Sequence, residues 1–414
     1  FWDIINNPKK VSSNLLSDKN VKVEQVDSSY ILVIEIPEAT RYEKPIYIND
    51  NPLLAYRRNF EGDYKVTRLE LSNMLRDADI NSPDSYIVEN KDMSCFCEKS
   101  IATYRNYFES YKEKEHPFND DTDEEFLIHI GVAEKGIDGK VHPTKAGLLM
   151  FNYHHEIVNV FPNYFLDYQD KRNLVGDMTW RNRVWSSNGN WSGNLFDFYY
   201  RVIYNLHEDL PVPFQLDGIQ RLDTTPMHRA VSEALCNTLA NADFNNTSGL
   251  VIKQYEDRLY FTNPGALAMP LDKAITGGRS DARNKVILSM FNHIRIGERS
   301  GSGIPRIFGA TLEAGYPKPI LSDRFNPDIT ELTVFIKKEK ISPTTSTKLV
   351  DSNLTEQEQI IVDYIKQYGF IRRIVVEDIL EVKTSRSAEL LKNLVDKNIL
   401  LTQGKTKTLK YKLK

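Results

Sequence analysis

Three polar side chains at a helical spacing are the first sign of chemistry in this chain. In TPMHRAVSEALCNTLANADF, residues 225–244, Glu233, Asn237 and Asn241 recur at every fourth position. On a helix this places a carboxylate and two amides along one face. Val231, Leu235 and Leu239 repeat with the same period, two residues or about 200° away, so the apolar stripe lies opposite. Such a polar face can orient a water molecule or offer an amide oxygen to a divalent cation. It can equally be a solvated helix surface. A second candidate is RIGERSGSGIPRI, residues 295–307, three glycines and two serines ahead of a helix-spaced run. Pro305 suits a first turn, and Ile304, Ile307, Phe308 and Leu312 read as one apolar face. The loop Gly301, Ser302, Gly303 then sits at a helix N-terminus, whose free N–H groups favour an anion.

The elements between these stretches follow from pattern. Thr225-Pro226 is a cap followed by proline at the first helical position. GLVIKQY and RLYFT, separated by Glu256-Asp257, read as a hairpin that ends in the turn Asn263-Pro264-Gly265. A helix carrying E-x-x-x-N, two strands ending in Asn-x-Gly and a glycine loop at a helix start is the motif order of the GHKL ATPases. EALCNTLANADF, DRLYFTNPGAL, GGRSDARNKVI and GERSGSGI together resemble the divergent GHKL-like module of bacterial RecG-helicase-related transcriptional regulators. The resemblance implies ATP with Mg²⁺ as cofactors. By it Glu233 is the general base, Asn237 the amide ligand of the cation, and Asn263 and Gly265 the turn beneath the nucleotide. Gly301, Ser302 and Gly303 form the phosphate loop, and Asn241 and Arg283 complete the cofactor-facing set. One departure stands out. Active members carry an Asp that accepts from the adenine amino group, whereas Thr262-Asn263-Pro264 holds no carboxylate.

The last 60 or so residues predict a different unit. LTEQEQIIVDYIKQYG forms a helix with Ile360, Ile361, Tyr364 and Ile365 on its apolar face and Gly369 as its stop. RRIVVEDILEV is a second helix. KTSRSAELLKNLVDKN is a third, capped by Thr384 or Ser385, with Leu390, Leu391, Leu394 and Val395 inward. ILLTQGKTKTLKYKLK closes as a hairpin around Gly404. Three helices and a hairpin resemble the winged helix-turn-helix of bacterial regulators. The resemblance implies double-stranded DNA as partner, read by Thr384, Ser385, Arg386 and Ser387 in the major groove, with Lys405, Lys407 and Lys410 on phosphates. A homodimer would match two half-sites; a protein-contact role is the alternative. Charge favours DNA: residues 383–414 hold nine basic and two acidic side chains, a balance of +7 that leaves −11 for the rest of a chain whose net charge is −4.

Residues 1–80 resemble the C-terminal part of an AlbA-type, Schlafen-like domain, through Ile36–Ala39, Arg41, Lys44–Ile48 and Tyr56–Arg57. Arg41, Lys44, Arg57 and Arg58 could form a nucleic-acid-facing patch or merely aid solubility. GKVHPTKAGLLMFN extends the family likeness.

At 414 residues with 41% apolar and 27% charged content, the chain is expected to be a globular multidomain protein without a membrane span. The expected class is α+β: a partial AlbA-like α/β domain (1–80), a helical linker region (81–130), a GHKL-like α/β sandwich (131–338), a linker (339–353) and the winged helix (354–414). Phe1 suggests that further residues precede this stretch. Three cysteines are too few for a disulfide framework and point to a reducing, cytoplasmic setting. Cys95-x-Cys97 and His154-His155 lack partners for a metal site. No G-x-x-x-x-G-K-[ST] loop occurs, so a helicase motor of the usual kind is unsupported. The expected function is a DNA-binding transcriptional regulator with a nucleotide- or ligand-sensing module, its ATPase activity weak or absent. The alternatives are an ATP-dependent enzyme on nucleic acid and an antiphage effector.

Overall fold

Thr225 starts the central helix by hydrogen-bond geometry. Its hydroxyl accepts the His228 N–H (3.4 Å), and the His228 ring accepts the Thr225 N–H in return (3.3 Å). Proline follows at the first position, and the helix runs Pro226–Asn241. These elements come from a computed structural model. It describes residues 1–414 except 28, 60–61, 177, 212–215, 218–219, 222–224, 279–280, 298–302, 325–326, 338–354, 369–370, 372, 381, 398, 404–409 and 414. The expected linker 339–353 therefore lies outside the described residues. The chain divides into two units, Phe1–Glu339 and Lys340–Lys414.

The first unit is built on a six-stranded mixed sheet. Its strands are β1 (Leu166–Asp170), β2 (Asn182–Trp185), β3 (Leu250–Gln254), β4 (Arg258–Pro264), β5 (Ile320–Arg324) and β6 (Ile329–Phe335), in the order β5-β6-β4-β3-β1-β2. β3 lies parallel to β1 and every other pair is antiparallel. Period-two alternation assigns the faces: Leu259, Phe261 and Asn263 of β4 are buried, while Tyr260 and Thr262 are half-buried. Helices α1 (Leu195–His207), α2 (Pro226–Asn241), α3 (Lys285–His293) and α4 (Gly303–Glu313) belong to the same unit. One continuous core joins residues from Val88 to Ile336, and a small satellite forms around Ala55, Val66 and Leu71.

Two sequence expectations change here. The polar face of α2 is no solvated surface: Glu233 is 5% exposed, and Asn237 and Asn241 are half-buried. The helix is largely enclosed because α1, α3 and α4 pack against it as well as β4. In α4, Ile307 is fully buried but Leu312 is 79% exposed. Thr311, one residue earlier, holds the centre of the stripe, since eight residues from Ile304 carry a side chain about 80° off it.

The second unit has helices α5 (Glu356–Tyr368), α6 (Arg373–Leu380) and α7 (Thr384–Asp396), then strands β7 (Leu400–Gln403) and β8 (Lys410–Leu413). Ile361, Ile365, Val376, Leu390, Leu391 and Leu394 form its core, and Ile371 bridges to Tyr411. Ile360 is exposed rather than inward. The cap of α7 is Lys383, one residue before the expected Thr384 or Ser385. Glu358, buried among these helices, pairs with Lys397 at 2.8 Å.

In the first unit, His207 and His228 meet edge to face with ring centroids 4.9 Å apart. Burial, reinforced by His228, pushes the His207 pKa down to about 4 from its ordinary 6.5. The unfolded chain takes up this proton below pH ~6.5 while the folded chain refuses it, so stability falls with pH. The urea midpoint should therefore drop between pH ~6.5 and ~4, with part of that slope removed in His207→Gln. An unchanged slope in the variant would show that His207 titrates normally.

Candidate functional site

A cavity of about 110 Å³ opens where the α2 polar face, the end of β4 and the start of α4 converge. Gly303 fixes the approach of α4. A Cβ there would collide with Glu233 Oε1 and stand 2.6 Å from Asn237 Nδ2, so any other residue would have to displace the pair. Asn237 Nδ2 donates to Glu233 Oε1 at 3.2 Å. A carboxylate oxygen accepts, which turns the amide oxygen of Asn237 the other way. No donor among the described residues reaches that oxygen.

The cavity floor is a polar row across three strands. Asn263 of β4 pairs with Thr330 of β6, which pairs with Asp323 of β5. The Thr330 hydroxyl donates to Gly265 O (2.9 Å) and lies 3.0 Å from Asp323 Oδ1. Asp323 accepts the Leu267 N–H at 3.1 Å and so anchors the loop that forms one wall. Burial raises the Asp323 pKa, opposed by those two hydrogen bonds and assisted by nearby Asp328 and Glu38. The remaining lining is largely apolar, with Leu321 and Leu332 beside the polar row on the sheet and Leu267, Met269 and Ile304 from the surrounding segments. Gly265 has φ +99°, and a Cβ on it would stand 2.5 Å from Arg283 Nη1.

Arg283 also lines the cavity, but its guanidinium is fully engaged in holding the wall together. It donates to Asn241 O (2.7 Å), Ala266 O (3.1 Å) and Asp77 (2.9 and 3.2 Å). Burial would favour its neutral form, yet Asp77, Asp243 and Asp328 outweigh that and raise its pKa. Asn241 is likewise structural: its amide donates to Asn237 O (2.9 Å) and accepts the Arg283 N–H (3.3 Å). Asp84 accepts the Ile287 N–H at 2.8 Å and caps the first turn of α3.

The N-terminal arginines complete this frame instead of facing outward. Arg41 pairs with Asp281 on the cavity rim at 2.6 Å, Arg57 with Asp328 at 3.4 Å, and Arg76 with Asp243. Lys44 and Arg58 remain exposed beside Glu38 and Asp63. The proposed basic patch of four is thus reduced to two.

Residues 248–334 match the family described as "Putative ATP-dependent DNA helicase recG C-terminal". The chain carries a RecG-related ATPase-like segment. Residues 72–167 match a domain of unknown function. No curated protein matches the chain. Among solved structures, the DIP2311 protein from Corynebacterium diphtheriae aligns over 98% of this chain and 82% of its own, at 13% identity and a TM-score of 0.49.

Of the expected cofactor-facing residues, Asn237, Asn241, Asn263, Arg283 and Gly303 line the cavity. Glu233 lies directly behind Gly303, and Gly265 shapes the turn beneath. Gly301 and Ser302 fall outside the described residues. Among the described residues no group of three or more His, Cys, Asp or Glu side chains is placed to hold a metal. A Mg²⁺ here would need the free oxygen of Asn237 together with oxygens of a ligand, which fits a cation carried on phosphates. Among the described residues, no helix is long and apolar enough to cross a membrane.

In the second unit, Thr384, Ser385 and Arg386 are exposed at the start of α7. Ser387 is a correction: it is fully buried, and its hydroxyl lies 3.0 Å from both Glu377 Oε1 and Thr384 O, one of which takes its hydrogen. Arg386 pairs with Glu389 at 2.9 Å while 44% exposed, so it can exchange that carboxylate for another anion. Lys405 and Lys407 lie outside the described residues, and Lys410 opens β8.

Sequence reasoning missed Asp77, Asp84, Asp243, Asp323 and Thr330. Arg283 and Asp77 are separated by 206 positions, and no local pattern signals such a pair. Arg283→Met should cost about 3–5 kcal/mol, because it leaves the Asp77 carboxylate without its buried partner. Urea unfolding checks this; a loss below about 1 kcal/mol would mean that the pair holds nothing together.

Proposed function

We propose that the first unit binds a nucleoside triphosphate with Mg²⁺ and that the chain is a DNA-binding regulator sensing that nucleotide. The observation that carries the reading is Gly303 seated on the Glu233–Asn237 pair at the mouth of a cavity floored by Asn263 and Thr330. A helix N-terminus attracts phosphate oxygens, an amide oxygen beside it suits a cation, and an apolar slot suits a base. The RecG-related match over 248–334 supports the same reading. Bound Mg²⁺ would neutralise phosphate charge; Asn237 would hold it and the α4 N-terminus would orient the phosphates.

Sensing is favoured over turnover by the placement of Glu233. Its carboxylate is 5% exposed, lies against Gly303 and already accepts the Asn237 amide N–H, which leaves it less open to a water molecule. Titration calorimetry with ATP and Mg²⁺ tests the reading. Binding should appear in the wild type and weaken about tenfold or more in Asn237→Ala, since a cation ligand is lost. No heat at millimolar ATP would overturn it. Fast hydrolysis that Glu233→Ala abolishes would favour the enzyme alternative.

For the second unit, the order of three helices and a hairpin, the exposed start of α7 and the +7 balance of residues 383–414 support a winged helix on duplex DNA. As a homodimer the protein would read paired half-sites. Duplex affinity should fall steeply with salt, and Arg386→Ala should weaken it by about 1–3 kcal/mol if that side chain reads a base. Filter binding at two salt concentrations checks both, and salt-independent or absent binding would leave the unit a protein-contact module.

A further inference from the structure

The six-stranded sheet has a second face, turned away from the cavity. Ile252 of β3, Leu259 and Phe261 of β4, and Leu332 and Val334 of β6 point into the core. Their alternates, among them Lys253, Tyr260, Thr262 and Thr333, are half-buried on the opposite face. Cations and aromatic rings meet there in pairs. Arg183 of β2 lies over the rings of Trp180 (4.8 Å) and Trp185 (5.0 Å), and Asp167 of β1 holds it at 2.7 Å. In the middle of the sheet, Lys253 stands 6.0 Å from the ring of Tyr260, its partner in register. At the end of the same hairpin Arg258 lies over Tyr255 at 5.3 Å. Arg324 of β5 pairs with Glu331 of β6 at 3.5 Å.

Five cations, Lys171, Arg183, Lys253, Arg258 and Arg324, share this face with three acids, Asp167, Asp257 and Glu331, a balance of +2. Residues 1–382 as a whole carry −11, so the face runs against the charge of its own chain segment. Rings interleaved with cations match the two repeating parts of a nucleic acid, flat bases and anionic phosphates. A duplex keeps its base faces inside its own stack, whereas a single strand leaves them available. From β2 to β4 the sheet crosses three strand spacings, about 14 Å, a distance that a few nucleotides bridge. A protein partner would favour an apolar centre, and here the centre holds Gln169, Lys253 and Thr262. We infer that this face binds single-stranded nucleic acid. Trp180, Trp185 and Tyr260 stack on bases, while Lys253, Arg258 and Arg324 meet phosphates. The inference is independent of the nucleotide reading, because the cavity is lined from the core side of the sheet.

Fluorescence anisotropy of the full chain tests it, with a labelled oligothymidine of about 15 nucleotides, free or annealed to its complement. The free strand should bind the wild type, more weakly as salt rises. Trp185→Ala and Tyr260→Ala should each weaken that binding about fivefold or more, the scale of one lost base stack. Lys253→Glu should weaken it as well and flatten its salt dependence. Tyr260→Phe keeps the ring and loses only the hydroxyl bond to Glu331, so it should bind like the wild type. Affinity for the annealed duplex should stay within about twofold in every variant, since none of the changes lies in residues 354–414. No binding of the free strand would overturn the inference. So would strand binding that the alanine variants leave unchanged, or strand and duplex affinities that fall together. Urea unfolding shows which variants are folded; if one alanine variant is not, the other and Lys253→Glu decide.

Discussion

A helix N-terminus resting on a buried carboxylate is the constraint on which the rest of the site depends. Gly303 lets α4 approach Glu233 and Asn237 without displacing either side chain. That approach directs the Asn237 amide oxygen away from the carboxylate, and with Asn263, Thr330 and the apolar walls it closes the cavity around one anion-friendly end.

A second layer makes the cavity wall rigid. Arg283 bonds three segments at once, Asp77, Asn241 and Ala266, while Arg41 pairs with Asp281 on the cavity rim and Arg57 and Arg76 pair with Asp328 and Asp243. Buried pairs of this kind are weak sources of net stability but costly to break. Their effect is to fix geometry: Arg41, Arg57, Arg76, Asp77 and Asp84 belong to the frame of the site and do not form a separate basic surface.

Local signals in the sequence proved readable where the chemistry is local. The Thr225-Pro226 cap, the hairpin from Leu250 to Pro264 and, after residue 354, three helices and two paired strands each rest on spacing, capping or pattern, and each forms, while the expected turn at Gly404 lies outside the described residues. The helix-spaced set Glu233, Asn237, Asn241 was visible, but its burial was not, because enclosure by α3 and α4 depends on residues more than 40 positions away. Leu312 and Ser387 show the same gap at smaller scale, where one position of helical phase decides inside from outside. The Asn263–Thr330–Asp323 row and the Arg283–Asp77 pair had no sequence signature at all. They arise from strand order and register, which bring distant residues side by side.

A crystal structure with a non-hydrolysable ATP analogue and Mg²⁺ tests the central claim most directly. The account predicts the base in the apolar slot, phosphates at the Gly303 end of α4 and the cation on Asn237 Oδ1. An analogue bound elsewhere, or a cavity left empty at saturating concentration, would contradict it.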